Sequence, residues 1–157
     1  MKPYSREKAV SYARRWAFSR NPAYLNYDDM GGDCTNFISQ CLHEGGGEMN
    51  YRPDLGWYYR TGNDKAPAWS GVPYLYRFLL SGLTPGFFAE EAPPERMEPG
   101  DVIQLSFDGT LFSHSLLVTM RDTSELYVAT HTFDSLNRPL STYDYRGIRY
   151  IHIAGLR

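Results

Sequence analysis

Apolar residues recur with helical spacing in the first half of the chain and crowd into short blocks in the second. Ala9, Tyr12, Ala13, Trp16 and Ala17 lie on one stripe of a helix that Ser5 can cap and that runs to about residue 19. Asn21-Pro22 stops it, because the residue before a proline is pushed out of the helical region. Cys34, Phe37, Ile38, Cys41 and Leu42 repeat the stripe over a second helix from about Cys34 to Glu44, ended by Gly45-Gly46-Gly47. Val72, Leu75, Tyr76 and Leu79 mark a third helix over about 71–80, with Ser70 as its cap and Gly82 as its stop. Residues 48–69 show no period and read as a long aromatic loop carrying Trp57, Tyr58, Tyr59 and Trp69. After a Pro-rich connector at 92–99 the pattern changes. Segments 101–107, 112–120, 126–133 and 149–156 read as strands, with turns at Asp108-Gly109 and at 121–125. Helices followed by antiparallel strands predict an α+β fold, with helices on one face of a meander, in a single domain spanning 1–157.

Composition narrows the function classes. A net charge of −2, with no Lys/Arg run longer than two, argues against a nucleic-acid surface. No apolar run reaches membrane-spanning length, so membrane insertion is not expected. Met1-Lys2-Pro3-Tyr4-Ser5 leads into the first helix with no apolar signal core, so this chain shows no signal peptide. Aromatic residues make up 15%, with 13 Tyr and 3 Trp, which suits a groove that holds an extended polar ligand as well as a small core. Trp57, Tyr58 and Trp69 of the aromatic loop are the expected binding residues. The two cysteines sit seven residues apart on one helix, roughly 10 Å, and cannot form a disulfide. No CxxC or HExxH spacing occurs, so neither a metal site nor a cofactor is expected.

The chemistry concentrates at Gly31-Gly32-Asp33-Cys34. A core-filling cysteine needs neither two glycines before it nor a helix N-terminus. Asp33 is a good N-cap, and the partial positive charge of the helix start favours a Cys34 thiolate, the attacking form. Cys41, in mid-helix, reads as core. A thiol nucleophile needs a base. His43 lies at the far end of the same helix and interacts with its C-terminus, and His152 between Ile151 and Ile153 reads as solvated. His114 and His131 fall on consecutive strands, and a hairpin centred on 121–125 brings them close together across the ladder. His114 becomes the base and His131 its orienting partner, with Asp134 as the rival for that third role.

These residues resemble the amidase-domain family related to the papain-like NlpC-type and CHAP cell-wall amidohydrolases. The resemblance covers nearly the whole chain. It rests on the helix at 12–17, Arg20-Asn21-Pro22 with Tyr24, the block at 31–42, Trp57-Tyr58-Tyr59, Ser70 before a helix, Pro99-Gly100-Asp101-Val102, His114-Ser115, and His131-Thr132 with Asp134. It implies a papain-like fold, nucleophile Cys34, base His114 and a third polar group at His131. A glutamine before the cysteine that would help hold the oxyanion has no match in 28–33. The Cys34 backbone N–H is the candidate donor. By the same resemblance the substrate is a peptide, above all a peptidoglycan peptide, and the setting is extracellular or cell-wall associated.

The expected activity is therefore cysteine-dependent amide hydrolysis through a thioester. Two alternatives stand beside it: a non-catalytic cell-wall or peptide-binding module, and acyl transfer using the same cysteine. Oligomeric state is left open.

Overall fold

The computed structural model describes residues 1–157 and has an α+β architecture. Helix α1 (Arg6–Trp16) starts where Ser5 Oγ accepts the Lys8 N–H, and α2 (Cys34–Glu44) has the expected bounds. The expected third helix is two pieces, α3 (Pro67–Ser70) and α4 (Val72–Leu79). Ser70 is not a cap. It closes α3, and Gly71 stands at the start of α4, where a proline in the first turn presets the helical φ.

The aromatic loop is more ordered than its sequence suggests. It contains a hairpin, β1 (Tyr59–Thr61) and β2 (Asp64–Lys65), and Trp57 and Trp69 are fully buried. Trp57 Nε1 donates to Ser39 Oγ (2.9 Å), Trp69 Nε1 donates to Asn36 Oδ1 (2.9 Å), and the two indoles meet at 4.9 Å. Polar side chains of α2 thus satisfy both indole N–H groups, which lets the rings join the core.

Six antiparallel strands form the sheet: β3 (Phe87–Glu91), β4 (Val102–Ser106), β5 (Phe112–Arg121), β6 (Leu126–Thr130), β7 (Ser135–Pro139) and β8 (Gly147–Leu156), in the order β3-β8-β4-β5-β6-β7. Only β4, β5, β6 and β8 were expected. The other two are edge strands with weak signatures. β3 ends in Glu90-Glu91, and β7 carries Asn137 at a φ of 52° and ends in Pro139. Such residues suit an edge, where one side of the strand needs no pairing.

Both faces of the sheet are covered. Leu117, Ala129, Ile151 and Ile153 pack against Ala9, Phe37, Ile38, Trp69 and Phe78 on the helix side. Ile103, Leu105, Leu116, Val118 and Val128 form a second cluster with Met97 and Leu140 on the other. The unbroken buried run Ser115-Leu116-Leu117-Val118 follows from this, since a strand covered on both faces does not alternate. Asp101, fully buried, locks the two halves together. It accepts from Arg6 Nη1 (2.8 Å), the Ile153 N–H (2.9 Å) and His152 Nδ1 (2.8 Å). His152 is therefore pinned to a carboxylate rather than solvated.

Candidate active site

The Gly31-Gly32 turn has both residues at positive φ, 97° and 109°, a conformation that suits glycine. It brings the chain to α2 with Cys34 as the first helical residue, only 7% exposed. α2 enters against β5, where Thr35 Oγ1 and Ser115 Oγ share a hydrogen bond of 2.9 Å. The Cys34 sulfur lies 3.8 Å from Thr35 Oγ1 and within reach of the Ser115 backbone N–H. Burial pushes the thiol's pKa up, and hydrogen bonds from the Ser115 N–H and from the Thr35 hydroxyl and N–H offset it only in part. This corrects the thiolate expected from the helix end. Loss of hydration raises the pKa, and the Asp33 charge adds to it, so the thiol form is favoured.

Asp33 does not cap α2 through its side chain. Its carboxylate is almost fully buried and serves a network instead. Oδ1 accepts from the Tyr27 N–H (2.9 Å) and Asn36 Nδ2 (2.8 Å), and Oδ2 accepts from His131 Nδ1 (2.6 Å). His131 also donates from Nε2 to the Trp16 carbonyl (2.7 Å) and stacks on Phe37 at 3.9 Å. Both ring nitrogens are committed, to the ends of α1 and α2, and neither goes to His114. His131 lies just past β6 rather than inside a strand. The expected orienting contact is absent because the segment after Thr130 turns away, with Thr132 and Phe133 both at positive φ. Asp134 does not reach a histidine either. It is held by Arg20 in a two-point pair, Nη2 to Oδ1 (2.9 Å) and Nη1 to Oδ2 (3.0 Å).

His114 stands one residue before Ser115, beside a register shift between Phe112 and His114. It belongs to the row of Leu116 and Val118, which faces the second cluster, while Ser115 faces α2. Its Nε2 makes a long contact of 3.4 Å with Thr130 Oγ1. Burial, then the positive charge of Arg138, pull its pKa down to about 4, so the imidazole is neutral at ordinary pH. The Cys34 sulfur thus meets the backbone of the residue that follows His114, and no hydrogen bond joins the two side chains.

A cavity of about 500 Å³ opens beside His114, walled by Phe107, Thr132, Phe133, Arg138 and Tyr143. Cys34 does not line it, but the Asp33 N–H donates to Thr132 Oγ1 (3.4 Å), so the wall adjoins the residue before the thiol. None of Trp57, Tyr58 or Trp69 lines this cavity. The two tryptophans are core, and Tyr58 meets Tyr51 in a tilted pair at 5.2 Å and lies under Arg60 at 4.9 Å. The sequence reading missed Arg138, Tyr143 and Phe133, which sit on an edge strand and its flanking turns. The one signal it held was their proximity in sequence to His131 and Asp134.

No solved structure matches this chain. The uncharacterized protein YhbB of Bacillus subtilis (strain 168) is 38% identical over 146 residues, covering 90% of this chain and 45% of YhbB. The uncharacterized protein YjcM of the same organism is 26% identical over 147 residues, covering 88% of this chain and 33% of YjcM. The chain therefore spans less than half the length of these curated relatives. A protein-family profile described as "Putative amidase domain" matches residues 3–154. With nearly its whole length matched, this chain belongs to that amidase-domain family.

Proposed function

We propose that the chain is a papain-like cysteine amidohydrolase with Cys34 as nucleophile and His114 as base, acting as one domain over 1–157. The observation that carries this reading is the placement of the Cys34 sulfur at the Ser115 backbone N–H, next in the chain to a buried, uncharged imidazole. A neutral thiol beside a neutral histidine suits general-base attack rather than a preformed ion pair.

His114 turns off its long contact with Thr130 and takes the thiol proton as the sulfur bonds to the amide carbon. The carbonyl electron pair moves onto oxygen, and the Cys34 backbone N–H, free at the helix start, donates to that oxyanion. The intermediate collapses, the imidazolium gives its proton to the departing amine, and a thioester remains. Water attacks the thioester as His114 takes its proton. The carboxylic acid leaves and the thiol regains its hydrogen. His131 takes no part in these transfers, since Asp33 and Trp16 occupy both its nitrogens. Its role is to hold the turn that carries Cys34.

Peptidoglycan stem peptides are the substrates to try first, by the resemblance to cell-wall amidohydrolases. The test is hydrolysis of a peptide and cell-wall fragment panel by the wild type, Cys34→Ala and His114→Gln, with mass spectrometry of the trapped acyl-enzyme. The reading expects loss of turnover in both variants and an acyl adduct on Cys34. Equal hydrolysis by Cys34→Ala would sink it. Binding without product by the wild type would favour the non-catalytic module, and an amine-capped product would favour acyl transfer.

A further inference from the structure

We propose that Arg138, held over the Tyr143 ring, is the carboxylate-binding group of the cavity beside His114, so that the substrate carries a carboxylate near its scissile amide. The inference deepens the amidohydrolase reading and rests on it. Arg138 lines the cavity and is pre-oriented there. Its Nε donates to Thr142 Oγ1 (2.8 Å), its Nη2 donates to the Thr142 carbonyl (3.2 Å), and its guanidinium lies 3.8 Å over the Tyr143 ring. Nη1 makes no hydrogen bond within the protein, and no acidic side chain pairs with the guanidinium. Arg6, Arg20 and Arg96 each hold a carboxylate, and Arg149 is fixed by Gln104 without one, but among these arginines none lines this cavity. Fixing a flexible cation without giving it an anion costs side-chain entropy and desolvation, and a ligand can repay both.

Tyr143 is the second wall of this site. Its ring lines the cavity and lies under the guanidinium, while its hydroxyl is sealed from solvent beside Ser135 and Arg138. A carboxylate in the cavity would take the free Nη1 hydrogens in a charge-assisted hydrogen bond. Asp144 also lines the cavity, but it is exposed, and water screens its charge. Seating an anion here also acts on the base. Arg138 is one of the two influences holding His114 uncharged. Neutralising it makes the imidazole a better proton acceptor once substrate is bound.

The experiment separates this inference from the reading it rests on. Binding is measured by calorimetry on the Cys34→Ala protein with matched acetylated tripeptides: Ala-Glu-Ala amide against Ala-Gln-Ala amide, and Ala-Ala-Ala acid against its amide. Within one of the two pairs the acidic member should bind at least about tenfold more tightly, as a charge-assisted contact would give. Arg138→Gln in the Cys34→Ala background should abolish that preference while sparing the neutral peptide. Equal binding within both pairs, no binding of any of the four, or a preference unchanged by Arg138→Gln overturns the inference. Wild-type turnover with no charge preference leaves the amidase reading standing and removes this one. Charge-selective binding with no turnover does the reverse.

Discussion

Acidification should unfold this protein partly through His114, and the size of the effect can be worked out. The ring is 6% exposed, flanked by Phe107 and Tyr143 with centroids at 6.2 Å, and faced by Arg138. Its pKa falls from 6.5 to about 4, through burial first and Arg138 second. Above pH 6.5 the ring is neutral in both the folded and unfolded chains, and it contributes nothing to the pH dependence. Below that, the unfolded chain binds the proton first, so stability falls as pH drops from about 6.5 to about 4 and then levels. Converting the drop at about 1.36 kcal/mol per decade gives a loss of about 3 kcal/mol across that window. This is a large share of the ~5–15 kcal/mol that holds a typical domain together. The assay is urea unfolding of the wild type and His114→Gln at several pH values between 7.5 and 4. The quantity of interest is the difference between the two proteins, which cancels the other histidines. The stability of the wild type relative to the variant should fall by about 3 kcal/mol on acidification. A gap independent of pH, or a His114 titration midpoint by NMR at or above 6.5, would refute the reasoning. The same burial implies that amide hydrolysis, if His114 is the base, keeps its activity well below pH 6.

The network behind Cys34 offers a second test. Asp33→Ala strands the Tyr27 N–H, Asn36 and His131 in a buried site and should cost ~3–5 kcal/mol by chemical unfolding. Asp33→Asn should cost only ~1–2 kcal/mol, because an amide N–H can donate to an unprotonated His131 Nδ1 while Nε2 still bonds Trp16; equal losses in the two variants would contradict that accounting. Gly32→Ala forces a side chain into a φ of 109° and places its Cβ 3.2 Å from Thr132 Oγ1, so unfolding should show a loss of ~1–3 kcal/mol, and a stabilised variant would speak against the strained turn. Trp69→Ala should lower stability by ~3–5 kcal/mol as a core deletion, and a near-neutral effect on unfolding coupled to weaker ligand binding would return it to a binding surface.

What the sequence determined alone was local. The stripe at Cys34, Phe37, Ile38, Cys41 and Leu42 defined α2 and its bounds, because helical periodicity and glycine punctuation are written in neighbouring residues. The same logic located α1 and the four inner strands, and it singled out the Gly31-Gly32 turn with Cys34 after it. Tertiary structure decided whatever depended on environment. Trp57 and Trp69 looked like a groove until α2 supplied partners for their N–H groups. His131 and Asp134 looked like rivals for one role until Asp33 and Arg20 took them. The Cys34 thiol is governed by burial rather than by the helix end, since desolvation depends on what packs against an atom and not on its place in the chain. Arg138 and Tyr143 meet His114 only because edge strand β7 folds beside β6, a pairing made across the sheet that no local pattern could announce.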